Sequence, residues 1–149
     1  MTLFQQQIAE IKISYSHLVK PSNQVKITCS KYAFDFVLPF WHDNNYRESF
    51  AILLLSRGMK ILGISWISLG GVSGTVVDSK IIFQTALKAN ASAVILIHNH
   101  PGGQLMPSDA DRKITEKIKS GRKFLDIDVP DHIIITSENY SSMADERYL

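Results

Sequence analysis

The feature that most constrains this chain is an apolar segment that ends in two histidines and a sharp turn. Residues 93–97 are five consecutive apolar residues, three of them β-branched, which is typical of a buried strand. His98, Asn99 and His100 follow directly, and the Pro-Gly-Gly sequence at 101–103 predicts a turn. Because successive side chains on a strand point to opposite faces, His98 and His100 should emerge together and Asn99 on the other side.

The turn should return the chain into a helix that begins at Ser108, which brings Asp111 towards the two histidines. His98, His100 and Asp111 would then offer two nitrogens and one carboxylate, with a fourth position open, which is how a catalytic zinc is usually held. A structural alternative exists for these residues. Ser108 with an acid three positions later resembles a capping box, and His-x-His can simply be polar residues at a strand end. The order and spacing of all four residues together favour the metal site.

Composition excludes several other classes of protein. The chain has 149 residues, which suits one domain with a substantial core, and its formal charge of +2 is too small to indicate nucleic acid or membrane binding. Cys29 is the single cysteine, so no internal disulfide or Cys-rich zinc site can form. No signal peptide is visible and the longest apolar runs are too short to span a bilayer. We expect a cytoplasmic protein.

Hydrophobic periodicity predicts an α/β fold, with a single mixed sheet flanked by helices. The predicted strands cover residues 10–15, 25–29, 50–55, 61–67, 93–97, 125–127, 132–136 and a segment near Tyr140; the predicted helices cover 31–41, 80–88 and 109–120. Ser30 should cap the first helix, Pro39 should kink or end it, and Gly121 should end the last. In the middle helix Ile81, Ile82, Ala86 and Leu87 should face the core. We expect one domain over 1–149, in which residues 1–44 form an extension on a core of residues 45–149.

The spacing of the metal motif resembles a known signature. His98-x-His100, seven residues, Ser108, two residues and Asp111 match the JAMM (MPN+/JAB) metalloprotease motif, and residues 45–149 are similar to the RadC-like branch of that superfamily. The supporting segments are residues 48–55, 74–78, 86–101 and 131–135. One departure is Gly102, where RadC-like proteins commonly have Ser. A helix-hairpin-helix DNA-binding region, often present before this domain, is also absent from this sequence.

The resemblance implies a deaminase-like MPN core and one zinc ion per chain. It implies that His98, His100 and Asp111 are the ligands, that a water fills the fourth position, and that Ser108 helps to bind the oxyanion. It also places the family's acid/base glutamate at Glu48. Spacing alone does not select this carboxylate over others in the chain.

The resemblance therefore favours a zinc-dependent peptidase or isopeptidase, in which a metal-activated water attacks an amide carbonyl. The alternative is a DNA-repair-associated or accessory module with little hydrolase activity, although DNA association has weak support from the charge. For Asp131 and His132 the sequence allows a place behind the metal ligands or a role at a strand start, and we favour the strand start.

Overall fold

The computed structural model describes residues 19–41, 46–71 and 74–149, so the predicted strand at 10–15 lies outside the described residues. In chain order the described elements are α1 (Ser30–Val37), β1 (Ser49–Leu55), β2 (Ile61–Leu69), α2 (Ser79–Lys88), β3 (Ala93–Asn99), α3 (Asp109–Leu125), β4 (His132–Ile135) and β5 (Tyr140–Ser142). Short 3₁₀ turns lie at Pro21–Asn23 and Leu38–Phe40. None of the helices in the described ranges has the length and apolar character needed to cross a bilayer.

The strands form one five-stranded mixed sheet in the order β2-β1-β3-β4-β5. β3 and β4 are parallel, whereas the other neighbours are antiparallel. β1 and β3 are buried along their whole length, as their nearly uninterrupted apolar sequences predict for strands covered on both faces. The predicted fold class is therefore confirmed.

Helices cover the two faces of this sheet. On one face Ala33 and Val37 of α1 pack on the odd-numbered residues of β1 and β3. On the other face Ile82 of α2 and Ile118 of α3 pack on the even-numbered residues, such as Leu96. Because His98 and His100 are also even-numbered, they extend from the face that α2 and α3 cover.

The N-terminal predictions need correction. The first α-helix ends at Val37 and does not reach Trp41, but Pro39 does interrupt it as predicted: it enters a 3₁₀ turn, because a proline nitrogen cannot donate to the preceding helical turn. Cys29, not Ser30, occupies the N-cap position, and the Ser30 hydroxyl instead donates to the Asp145 carboxylate. In place of a strand at 25–29 there is an isolated bridge between Lys26 and Lys60.

Ile81 and Leu87 of α2 do not face the core, contrary to the prediction. Ile81 and Leu87 are 43% and 49% exposed, while Ile82 and Ala86 are buried as predicted.

The last helix continues through Gly121 to Leu125 and ends at Asp126, which has a left-handed φ of 54°. Leu125 is therefore helical, and the predicted strand at 125–127 is replaced by a single bridge between Ala93 and Asp128.

Candidate metal centre

Three separate parts of the chain bring the predicted site residues together. His98 is the sixth residue of β3 and His100 follows the strand, while Asp111 lies in the first turn of α3. Glu48 immediately precedes β1, whose Phe50 pairs with His98 in the sheet. One potential ligand atom from each of Glu48, His98, His100 and Asp111 lies within 4.8 Å of the others. The fold thus assembles four residues that span 64 positions of sequence (111 minus 48, counted inclusively).

The two imidazoles and the aspartate face one another directly. Nε2 of His98 lies 2.8 Å from Nε2 of His100 and 3.0 Å from Oδ1 of Asp111. Nε2 of His100 lies 3.3 Å from Oδ2 of Asp111. His98 is fully buried and Asp111 is 7% exposed, whereas His100 is partly exposed.

Ser108 holds the Asp111 carboxylate through a capping box. Its hydroxyl oxygen accepts from the Asp111 backbone N–H at 3.1 Å, and its own N–H donates to Oδ2 of Asp111 at 2.7 Å. The Ser108 hydroxyl also donates to Oδ2 at 2.7 Å. The structural alternative for Ser108 is therefore realised. Its role towards an oxyanion stays a prediction, because its single proton is already donated to Asp111.

The position of Glu48 is fixed by backbone contacts on both sides. Its N–H donates to the Gly71 carbonyl and its own carbonyl accepts from the Gly70 N–H at 2.8 Å. Gly70 has no room for a side chain, because a Cβ there would lie 2.5 Å from the Glu48 carbonyl oxygen. Gly74, at φ +138°, borders the Glu48 carboxylate. The close approach requires glycine at position 70, and the positive φ favours glycine at position 74.

Charge interactions favour a cation in this cluster. The hydrogen bond to Asp111 raises the pKa of His100 above its ordinary value, although burial opposes the shift. Burial by itself would raise the pKa of Asp111, but its contacts with the imidazoles of His100 and His98 together hold that pKa well below its ordinary value. The cluster therefore stabilises an ionised carboxylate beside positive charge.

The donor set fits a zinc ion. Nδ1 of His100 lies 2.7 Å from the Gln104 carbonyl, which only accepts, so Nδ1 carries the proton and neutral His100 presents a bare Nε2 to the cluster. Imidazole nitrogen and carboxylate oxygen are the ligands that zinc takes at catalytic sites. Neutral imidazoles leave acceptor atoms facing each other, and a divalent cation satisfies them all.

The cluster opens into a cleft of about 810 Å³. Glu48, His100 and Asp111 line it, so the candidate ligand atoms are accessible to a substrate, whereas His98 lies behind them. The apolar walls include Phe50, Val77, Met106 and Ile114. Gly74 and Thr75 form part of one side, while residues 72–73 of the same connection are outside the described residues.

His132 begins β4, as the favoured sequence interpretation predicts, and it also lies behind a candidate ligand, the alternative that the sequence left open. Its Nε2 lies 2.8 Å from Nδ1 of His98, and burial keeps its pKa well below the ordinary value. Asp131 does have the predicted structural role, since it accepts from the N–H of His132 and Ala144 and from the Ser142 hydroxyl. Thr115, four residues after Asp111, also contacts His132 and was missed.

Comparison with known proteins agrees with the geometry. A family model described as the RadC-like JAB domain matches residues 27–148. A UPF0758 protein of Flavobacterium johnsoniae is 42% identical over 121 residues, which are 81% of this chain and 52% of that protein. UPF0758 proteins of Porphyromonas gingivalis and Methanosarcina mazei are 38% and 35% identical over 124 residues, 83% of this chain and 54% of theirs. The chain spans about half the length of these curated relatives. The chain belongs to the RadC-like JAB domain family.

Proposed function

We propose that this protein is a zinc-dependent hydrolase that cleaves a peptide or isopeptide bond. The observation that carries the proposal is the convergence of His98, His100 and Asp111 beside a cleft that also exposes the Glu48 carboxylate. Two imidazoles and one carboxylate leave a coordination position open, which distinguishes a catalytic zinc site from a closed structural one. The substrate is a protein or peptide with an amide bond that the cleft can receive.

Each residue around the cleft has a separate role in the proposed hydrolysis. Zinc held by His98, His100 and Asp111 would acidify a water and polarise the carbonyl of the substrate. Glu48 accepts a proton from the attacking water as the new C–O bond forms, and returns it to the amine as the C–N bond breaks. Ser108 can donate to the developing oxyanion if its hydroxyl turns away from Asp111.

The walls of the cleft support this division of roles. Phe50, Val77 and Ile114 add apolar surface to the cleft beside the cluster, which reduces the polar surroundings of a bound substrate. In such surroundings a charge on an oxyanion interacts more strongly with nearby donors than it does in bulk water. Glu48 is partly exposed in the cleft, where a general base can reach a water and a leaving amine.

Glu48→Gln is the first variant that tests the proposal. We expect the purified wild type and Glu48→Gln to contain about one zinc ion per chain by elemental analysis, whereas His100→Ala should lose it. Peptide and isopeptide substrates should be hydrolysed roughly 10²- to 10⁴-fold more slowly by Glu48→Gln than by the wild type, the usual contribution of a general base. Glu138→Gln, an exposed glutamate in a turn, is the matched control and should keep full activity.

Two outcomes would contradict the proposal. If the wild type takes up no zinc after reconstitution, the metal-dependent chemistry fails. If it takes up zinc but hydrolyses neither peptide nor isopeptide substrates in a broad screen, an accessory module that keeps the metal becomes the better description. In that case strongly salt-dependent DNA binding would favour the DNA-associated form of that module.

A further inference from the structure

A row of buried hydrogen-bonding groups continues behind His98, on the side away from the cleft. Nδ1 of His98 lies 2.8 Å from Nε2 of His132, and Nδ1 of His132 lies 2.6 Å from Oγ1 of Thr115. Thr115 Oγ1 lies 2.6 Å from the backbone carbonyl oxygen of Asp111. His98, His132 and Thr115 are each 0% exposed. The row therefore connects one candidate ligand, His98, to the backbone of another, Asp111, through groups that water does not reach.

The Asp111 carbonyl, at the far end of the row, determines which group donates in each hydrogen bond. The Asp111 carbonyl can only accept, so the Thr115 hydroxyl donates to it. Thr115 has one hydroxyl proton, so its oxygen must accept the bond from His132, and Nδ1 of His132 carries a proton. Both nitrogens of His132 face groups other than carboxylates, which leaves nothing to stabilise a buried imidazolium. Its Nε2 therefore accepts from Nδ1–H of His98.

We propose that His132 and Thr115 are positioning residues that lock His98 in the tautomer able to bind the metal. With its proton held on Nδ1, His98 presents a bare Nε2 to His100 and Asp111. In the opposite tautomer Nε2 would carry a hydrogen and could not act as a ligand. The inference rests on the proposed function for its purpose, but the tautomer itself is a property of the metal-free protein.

Phe50 reinforces the same orientation. Its ring is stacked on His98 with an interplanar angle of 11° and meets His132 edge-on at 65°. Both imidazole planes are thus held against one aromatic side chain. Groups behind a ligating histidine commonly change metal affinity by 10- to 100-fold when they are removed.

The metal-free protein provides the first test, by long-range ¹H–¹⁵N NMR of the histidine rings. We expect His98 and His132 of the wild type to be protonated on Nδ1. Thr115→Val has nearly the same shape but offers no oxygen to His132, which then can carry its proton on Nε2 and donate to His98. We therefore expect Nε2 of His98 to become protonated in part or in full. Thr115→Ser keeps the hydroxyl and should restore the wild-type spectrum.

Zinc affinity, measured by competition with a chromophoric chelator, provides the second test. Thr115→Val should bind zinc about 10- to 100-fold more weakly than the wild type, and Thr115→Ser should bind it as the wild type does. Thr85→Val is the matched control, because Thr85 makes the same hydroxyl bond to the carbonyl four residues earlier, but on α2. His132→Leu removes the acceptor of His98 and should weaken zinc binding at least as much as Thr115→Val does. This second variant keeps the test possible if Thr115→Val does not fold.

The outcomes separate this inference from the proposed function. A wild type that binds no zinc, yet shows His98 protonated on Nδ1, contradicts the proposed function and supports the tautomer assignment. A wild type that binds zinc, with Thr115→Val and His132→Leu equal to Thr85→Val in affinity, overturns the inference. His98 protonated on Nε2 in the metal-free wild type overturns it as well.

Discussion

Asn99, the last residue of β3, lies between His98 and His100 in sequence, but its side chain contacts the backbone on either side of Glu48. Its Oδ1 accepts from the Ser49 N–H at 2.8 Å and its Nδ2 donates to the Arg47 carbonyl at 2.7 Å. These two backbone groups flank Glu48 on either side. Asn99, which is fully buried, therefore ties Glu48, the proposed acid/base residue, to the strand that carries His98.

Asn99→Ala should consequently separate metal binding from turnover. We expect the variant to retain zinc and to hydrolyse substrate more slowly because Glu48 is held less firmly. It should also lose roughly 1–3 kcal/mol in free energy of unfolding, because the buried Ser49 N–H and the partly buried Arg47 carbonyl lose their partner. Urea denaturation, metal analysis and kinetics measure the three quantities. Asn139→Ala, which removes an exposed bond to a backbone N–H, is the control. Loss of zinc from Asn99→Ala would contradict this role.

At the residue scale the sequence was informative where chemistry depends on local spacing. His98, His100, Ser108 and Asp111 fall within 14 positions (111 minus 98, counted inclusively), so strand alternation and a helix start suffice to bring them together. Glu48 could be named only from the family resemblance, since its approach depends on the register of β1 against β3. His132 depends on the parallel register of β4 against β3, which no local pattern specifies. Thr115 had a detectable signal, because it lies one helical turn from Asp111.

Gly121 determines how closely two helices approach. It lies inside α3, and a Cβ at this position would overlap the ring of Phe83 on α2. An alanine in place of a helical glycine is ordinarily stabilising by about 1 kcal/mol. Here we expect Gly121→Ala to destabilise the protein by roughly 1–3 kcal/mol instead, because the partly buried Phe83 ring must leave its place against the core. Urea denaturation of Gly121→Ala and the wild type shows whether the free energy of unfolding falls or rises.

A double-mutant cycle with Phe83→Ala identifies the cause. In the Phe83→Ala background the clash is gone, so adding Gly121→Ala should be neutral or stabilising, as helix propensity alone predicts. If Gly121→Ala is equally destabilising in both backgrounds, contact with Phe83 is not the reason.

The contact between Gly121 and Phe83 also explains which helix and strand boundaries the sequence could predict and which it could not. The long apolar strands β1 and β3, the hairpin to β2 and the start of α3 were predictable because each has a local pattern. The end of α3 was misplaced because, in the sequence alone, a glycine that permits close packing of helices cannot be distinguished from a glycine that ends a helix. Ile81 and Leu87 were misassigned because the packing of α2 on one sheet face uses a narrower apolar stripe, Ile82 and Ala86, than the sequence suggested.

For the whole molecule, the important consequence is that the candidate ligands join elements distant in sequence. His98 and His100 come from the end of β3 and Asp111 from the first turn of α3, while Glu48 precedes β1. An ion bound by this group connects the centre of the sheet to the helix that covers it. Since an unfolded chain does not hold these groups together, a ligand bound there stabilises the whole fold by mass action.

Zinc should therefore raise the melting temperature of the wild type. At a free concentration of about 100 times its Kd, one ion adds about 2.7 kcal/mol, which for a chain of this size corresponds to roughly 5–10 °C. Scanning calorimetry with and without a chelator measures the difference. His100→Ala, which removes one ligand, should show almost no zinc-dependent increase.

The size of this increase should depend on pH in a definite direction. The bond to Asp111 raises the pKa of His100 above 6.5, so the proton competes with the ion increasingly as the pH falls through that raised pKa. In the metal-free protein, the stability gained from protonated His100 is fully present below pH 6.5 and is lost as the pH rises through the raised pKa. The competition with the proton and the greater stability of the metal-free protein at low pH both make the zinc-dependent increase smaller as the pH falls. The zinc-dependent increase should be larger at pH 8 than at pH 6, and an equal increase at both would show that His100 is not a ligand.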